Sequence, residues 1–330
     1  MKLNQNIIII IVSLLIVSCS KNISTNNEVV TLNATGSLES LNIVTWNIEN
    51  FPKNDLTEQY LQDIVSVLNI DIIALQEIRL LTNLINISSA LGDNWVTYRS
   101  SGSSNYGNLA YLINTNEIDI ITSPYAMPDE EVLCPTYAYD LSNHTCLDSS
   151  PGSHYYMSYD FAWRMPYILE FEYNNEKFAL INVHLKCCGS TGSSEKARRY
   201  EATKNLDYYI NDNLPEENII IVGDFNDEIN EIVNFDTESY IFSPFHDESF
   251  GGYSFTDMSI ANGSVNYWSY PSYPSHIDHI VINNNIINNS NISYNTTTLL
   301  IENLLEGGWG EYNSYISDHR PLLINLTIPE

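Results

Sequence analysis

Acidic, amide and histidine side chains recur along this chain in short clusters. They are Trp46-Asn47-Ile48-Glu49-Asn50, Leu75-Gln76-Glu77-Ile78, Val183-His184-Leu185-Lys186, Gly223-Asp224-Phe225-Asn226-Asp227, Ile277-Asp278-His279-Ile280 and Ser317-Asp318-His319-Arg320-Pro321. Any one of them could be a helix cap or a turn. A succession of them, each mixing Asp, Glu, Asn and His, is hard to explain by capping alone. Oxygen ligands suit a hard divalent cation such as Mg2+, which keeps several of its waters. A cation so held neutralises charge developing on phosphoryl oxygens and helps activate water. The chemistry open to this set is hydrolysis of a phosphoester. Glu77 is the natural inner carboxylate for the cation. Asp224 is placed to accept a proton from an attacking water, and Asn226 to orient water or substrate. His319 coupled to Asp278 could stabilise or protonate the reacting phosphate, and His184 offers a second proton donor. The competing reading, a structural Ca2+ loop over 224–227, lacks EF-hand spacing.

Such residues need a scaffold that brings them together, and strand and helix signals alternate along the chain. Residues 41–46 form a β-rich run. A helix is expected from Asp55 to about Leu68, where Leu56, Tyr60, Ile64 and Leu68 share one face. Residues 71–75 and 218–222 read as short buried strands. Tyr167–Tyr173 and Lys177–Leu185 read as a hairpin across Asn174-Asn175. The pattern from Glu195 to Ile210 is helical and ends at Asn211-Asp212-Asn213-Leu214-Pro215. Strand signals return at 277–282 and 322–326. Most of the chemical clusters therefore lie at strand ends, where loop-borne sites of α/β folds converge. The irregular stretch from Met127 to Tyr159 reads as an insertion or active-site wall. The Asn/Ile-rich 283–297 stretch reads as compositional bias. No linker divides the body, so a single domain is expected.

Composition narrows the possible partners. The 330 residues carry 13 basic and 41 acidic side chains, a net charge of −28. With 44% apolar residues the chain has the supply to fold, so this charge does not signal disorder. No basic stripe is available to hold nucleic acid tightly by neutralising its phosphates. Brief contact with a phosphate through a cation remains open.

The N-terminus reads as an export signal. Ile7–Val17 is apolar except for Ser13 and too short to span a bilayer, which takes about 20 residues. Ile16-Val17-Ser18-Cys19 resembles the bacterial lipobox. The expectation is a signal peptide over 1–18, lipidation at Cys19 and a flexible tether over 19–40. That places the protein on the bacterial cell envelope, touching membrane only through the lipid, with simple secretion as the alternative. Cys134, Cys146, Cys187 and Cys188 are an even set in an exported chain, which points to disulfides. The favoured pairings staple the 134–146 loop to the 187–188 turn.

Taken in order, Trp46-Asn47, Gln76-Glu77, Arg164-Met165-Pro166, Asn182-Val183-His184, Gly223-Asp224-Phe225-Asn226, Ile277-Asp278 and Ser317-Asp318-His319 resemble the endonuclease/exonuclease/phosphatase family. That is the group related to pancreatic deoxyribonuclease and the abasic-site endonucleases. The resemblance runs from about Leu41 to Leu326. It implies an α/β fold, a four-layered sandwich of two packed mixed β-sheets flanked by helices, over 41–327. It also implies a metal site across the upper sheet edges. By motif, Asn47 and Glu77 would bind the cation, Mg2+ with Mn2+ or Ca2+ able to substitute or assist, and Asp318 would approach the metal or phosphate. Asp224 and Asn226 would handle the water and the scissile phosphate, and Asp278 would orient His319. His184 matches an acid, and Arg164 a phosphate contact, of the deoxyribonuclease-like subset. Lys196, Arg198 and Arg199 form the densest basic cluster, which either faces a polyanion or holds its helix by ion pairs. The expected function is a monomeric, metal-dependent phosphodiesterase, an endonuclease binding DNA or RNA transiently. A phosphomonoesterase or sphingomyelinase-like lipid phosphodiesterase is the alternative. A non-catalytic surface-binding module would be another class, but no catalytic Glu or Asp is missing.

Overall fold

Ile72–Leu75 and Ile219–Val222 are apolar on both faces and buried throughout, as strands covered on both sides must be. The computed structural model describes residues 40–101, 107–133, 154–188, 194–215, 217–229, 241–246 and 252–329. The expected signal peptide, Cys19, the tether up to residue 39, Cys134 and Cys146 lie outside these residues. Among the described residues no helix is long and apolar enough to cross a membrane.

The first half of the chain contributes β1 (Leu41–Phe51), α1 (Thr57–Val67), β2 (Ile72–Ile78), α2 (Leu81–Leu91), β3 (Trp95–Arg99), β4 (Asn108–Asn114), β5 (Asp119–Ile120) and β6 (Tyr125–Ala126). Then come the small ladder of β7 (Glu131–Leu133) and β8 (His154–Tyr156), followed by β9 (Tyr167–Tyr173) and β10 (Glu176–His184). The second half adds α3 (Ser194–Asn213), β11 (Asn218–Asp224), α4 (Ser243–His246), β12 (Tyr253–Phe255), α5 (Met258–Ala261) and β13 (Asp278–Asn283). It ends with α6 (Asn284–Ile287), β14 (Ser293–Thr298), α7 (Gly308–Tyr315) and β15 (Leu322–Thr327).

These strands form two mixed sheets. A six-stranded sheet runs β14-β15-β1-β2-β4-β3, and a seven-stranded sheet runs β12-β13-β11-β10-β9-β5 with β6 also on β9. Their inner faces pack through Ile43, Ile72, Tyr111, Phe171, Phe178, Leu180, Ile220 and Ile324. Outside the first sheet, Leu61 and Ile64 of α1, Leu84 of α2 and Tyr312 of α7 cover Val44, Trp46 and Ile73. Outside the second, Ala202, Leu206 and Ile210 of α3 cover Ile181 and Ile221. The result is the expected four-layered sandwich.

Polar side chains also tie the sheets together. Gln76 Nε2 donates to Asn182 Oδ1 at 2.8 Å, and Asn182 Nδ2 returns to the Leu75 and Ala110 carbonyls at 3.0 and 3.1 Å. Tyr111 bridges the same gap with its hydroxyl on the Tyr167 and Leu180 carbonyls. These bonds fix the relative height of the sheets, which apolar packing alone does not.

The hairpin across Asn174-Asn175 is present, both residues having left-handed φ, as a tight two-residue turn demands. The 283–297 stretch differs from expectation. Its Thr-rich end is β14, an edge strand paired with β15; weak apolar content concealed it because only one side is covered. The expected staple to the 187–188 turn is also corrected, because Cys187 and Cys188 are free thiols. Their sulfurs lie 2.9 Å apart, well beyond the ~2.05 Å of a disulfide bond.

Two glycines allow strand ends to approach closely. At Gly223 (φ +147°) a Cβ would lie 1.9 Å from the Val183 carbonyl oxygen, and at Gly107 (φ +81°) 2.4 Å from the Glu77 carbonyl carbon. Gly223→Ala is expected to lose at least about 1–3 kcal/mol of stability by prising β10 from β11. Chemical denaturation measures this, and an unchanged midpoint would contradict the packing.

Candidate active site

Strand register alone aligns part of the site. β10 and β11 run parallel with His184 opposite Asp224, and β11 and β13 run antiparallel with Asp224 opposite Asp278. In the other sheet, parallel β1 and β2 place Asn47 opposite Gln76, one residue before Glu77. Asn47 Nδ2 then spans the two sheets, donating to Asp224 Oδ2 at 3.0 Å and reaching Glu77 Oε1 at 3.4 Å. Glu77 sits at a strand irregularity with φ +65°, and the Asn50 N–H holds its Oε2 at 2.8 Å. Left-handed backbone at a non-glycine residue stores strain and is found at functional sites. Asn226 shares it, at φ +56°, with its N–H on Asp224 Oδ1 (2.9 Å) and its Nδ2 on the Leu185 carbonyl (3.2 Å).

His319 is held by three contacts. Its Nδ1 meets Asp278 Oδ2 at 2.7 Å, its N–H donates to Ser317 Oγ at 2.9 Å, and its carbonyl accepts from the Tyr312 hydroxyl at 2.6 Å. Tyr312 in turn accepts from Trp46 Nε1 at 2.9 Å, and Ser317 Oγ donates to the Asn47 carbonyl at 2.6 Å. The final cluster is thereby locked to the first strand. The free edge of the imidazole, Nε2, lies 4.0 Å from Asp224 Oδ2 and 3.9 Å from Asp318 Oδ1.

Burial and crowding separate the titrations. Burial and the charge of Asp278 push the Asp224 carboxyl up to about 7, with Glu77 adding to the rise while His319 and the Asn47 amide oppose it. Burial works against charge on His319, yet Asp278, Asp224 and Asp318 outweigh it and raise the imidazole to about 10. A carboxyl titrating near neutrality beside an imidazole that is charged at the same pH is a pair suited to general acid–base chemistry. His184, expected as a second proton donor, is shifted the opposite way from His319. Burial first, then Arg164 and His319, hold it well below the ordinary histidine range, and its Nδ1 has no hydrogen-bond partner. Its Nε2 lies 3.4 Å from Asp224 Oδ2.

Glu77, Asn47, Asp318 and Glu49 offer the all-oxygen donor set that a hard cation takes. Burial and Asp318 raise the Glu49 carboxyl despite Lys53 beside it, and Asp278 Oδ1 is buried without a hydrogen-bond partner. This excess of crowded carboxylate oxygen fits a divalent cation. Asp224, Asp278 and His319 present ligand-type atoms within 4.8 Å of one another, as do Asp257, His276 and His279. The second group also forms a hydrogen-bonded strut: Asp257 Oδ2 meets His276 Nε2 at 2.9 Å and His279 Nδ1 at 2.6 Å, and His279 Nε2 meets the Asp227 carbonyl at 2.9 Å. It braces the loop after Asp224.

Arg164 is buried and donates to the carbonyls of His184 (3.0 Å) and Leu185 (2.9 Å), placing its charge directly beneath the site. The basic cluster is committed to structure. Arg199 Nη2 pairs with Asp227 Oδ2 at 2.6 Å and Lys196 with its Oδ1 at 3.6 Å, while the Arg198 guanidinium covers the Tyr159 ring. Of its two readings, helix-anchoring ion pairs match the structure. The sequence carries no sign of the part taken by Tyr312, by Ser317 within its motif, or by Tyr270, whose ring lies 4.8 Å from that of His319. Only the nearness of Ser317 and Tyr270 to motif residues could have flagged them.

A model of the Endonuclease/Exonuclease/phosphatase family matches residues 44–319. The chain belongs to that family. Its fold is similar to that of D. rerio TDP2 complexed with single strand DNA product (TM-score 0.55, 13% identity, covering 87% of this chain and 98% of that one). It is also similar to the human Nocturnin catalytic domain (0.55, 12%, 89% and 97%). A third similar structure is an endonuclease/exonuclease/phosphatase from Bacteroides vulgatus (0.52, 13%, 88% and 99%). No curated protein sequence matches the chain. The family's fold and these His/Asp groups support a metal-dependent phosphoesterase.

The Asp278–His319 couple gives a pH test. A histidine raised to about 10 contributes stability fully below its unfolded value of about 6.5, and loses it as pH rises through 10. Asp278→Asn should cost about 3–5 kcal/mol near pH 6 and approach wild type near pH 10. The His319 ring should titrate lower by NMR. An unmoved ring titration would refute the coupling.

Proposed function

We propose that this endonuclease/exonuclease/phosphatase family member is a divalent-cation-dependent phosphodiesterase that cleaves nucleic acid. The observation carrying this reading is the buried Asp224 carboxyl, flanked in register by His184 and Asp278 and bonded across the sheets to Asn47. A bound cation, held by Glu77 and Asn47 with Asp318 nearby, would supply positive charge to the phosphoryl oxygens. Asp224 takes the proton of the water that attacks phosphorus, while Asn226, its Nδ2 engaged on Leu185, presents its amide oxygen to that water. The bond to the leaving oxygen breaks as the new P–O bond forms, and His319 faces the growing negative charge as an imidazolium.

Nucleic acid is favoured over highly phosphorylated small molecules by the fate of the arginines. Arg164, Arg198, Arg199 and Arg320 are engaged on carbonyls or carboxylates of the chain. Arg99 is bonded to the Ile78 carbonyl, which leaves Arg79, held on Asn50 Oδ1, as the one exposed arginine, too few to clasp several phosphates. The similarity to a TDP2 structure holding single strand DNA product supports the same direction.

A substrate panel with and without chelator tests the reading: single- and double-stranded DNA, RNA, a simple phosphodiester, a phosphomonoester, inositol phosphates and sphingomyelin. Cleavage of DNA or RNA, restored by Mg2+ and lost in Glu77→Gln, is expected. Asp224→Asn should lower kcat by about 10²- to 10⁴-fold. Hydrolysis of the monoester or sphingomyelin alone would overturn the substrate assignment.

The reading retains export and lipidation at Cys19, supported by the lipobox-like Ile16-Val17-Ser18-Cys19. Metabolic palmitate labelling that disappears in Cys19→Ala is expected. Equal labelling of both would reject it.

A further inference from the structure

We propose that Trp163 is a stacking platform for an unpaired nucleobase of the substrate strand, an inference that rests on the nuclease reading above. Trp163 is 60% exposed, so the chain forgoes burial of one of its largest apolar side chains. It is also held there under strain. Ala162 and Trp163 have φ of 51° and 64°, a backbone region that a bulky residue rarely adopts. The turn is fixed by the Trp163 N–H on the Ser158 carbonyl at 2.6 Å and the Arg164 N–H on the Phe161 carbonyl at 3.0 Å.

The ring is buttressed from one side. Tyr159 meets it edge-on at 6.3 Å with an interplanar angle of 82°. The Arg198 guanidinium lies 4.0 Å over Tyr159 and bonds that residue's carbonyl. The indole is therefore presented rigidly, which lowers the entropy lost on stacking. It is also continuous with the catalytic floor, because the next residue, Arg164, spans to the His184 and Leu185 carbonyls.

Charge and neighbours point to a base as the occupant. A chain of net charge −28 draws little affinity from phosphates, and base–aromatic stacking is insensitive to charge and sequence. A membrane anchor would need aliphatic company. Among the described residues the exposed large apolar side chain nearest in sequence is Tyr156; Ile121 and Tyr208 lie well away on either side, and the exposed leucines lie at 56, 80 and 81.

The test compares wild type, Trp163→Ala and Trp163→Phe on a single-stranded oligonucleotide and on bis(p-nitrophenyl) phosphate, with Mg2+ present. Trp163→Ala should raise KM for the oligonucleotide about 5- to 150-fold, with the small diester within about twofold, and Trp163→Phe should recover most of the loss. Equal loss on both substrates, or none on the oligonucleotide, would overturn the platform. Indole blue-shift on phosphatidylcholine vesicles without an oligonucleotide effect would overturn it in favour of a lipid surface. Wild-type cleavage of the small diester but of no nucleic acid would sink the platform and leave the phosphodiesterase chemistry standing. Cleavage of neither would sink both.

Discussion

The constraint on which the rest depends is a buried carboxylate, Asp224, kept among other carboxylates where the sheets meet. Asp278 is its cross-strand neighbour, Glu77 approaches through Asn47, and the group is almost wholly removed from water. Like charges at such distances in a low dielectric repel strongly. The fold answers with one protonated imidazole, one bridging amide and a set of oxygen donors that calls for a cation. In the mechanism proposed above each answer is also a catalytic resource, so the crowding of the site and its chemistry have one origin.

The scaffold exists to hold that arrangement. Gly107 and Gly223 remove the side chains that would separate Glu77 and Asp224 from their neighbours. Gln76 and Asn182 fix the height of one sheet against the other. Trp46, Tyr312 and Ser317 bind the His319 segment to β1 across a separation of some 270 residues in sequence. Asp257 and His279 hold the carbonyl of Asp227 from behind. None of these groups need touch substrate in the proposed mechanism; they set where Asn47, Glu77, Asp224 and His319 stand.

Much of the site was legible in the sequence because its motifs are local. Strand-end acids beside β-rich runs announce both an element and its chemistry, and Asn174-Asn175 announces its own turn. What was not legible depends on long-range pairing. Nothing near His184 says that Asp224 lies opposite it, or that its Nδ1 meets no partner. That is why the sequence alone does not show the burial that holds this ring below the ordinary histidine range. Tyr312 carries no local sign of its bonds to Trp46 and His319. Lys196 and Arg199 are surface-like in composition, yet Asp227, far along the chain, pairs with both. β14 was concealed because threonines on an edge strand lack the apolar alternation that reveals a covered one.

The most direct test of this account is a carbon-13 NMR titration of the Asp224 side-chain carboxyl in metal-free protein, repeated with Mg2+. The account predicts a midpoint near 7 without metal, moving to lower pH when the cation relieves the crowding. A midpoint at the ordinary aspartate value of about 3.9, unmoved by Mg2+, would contradict it.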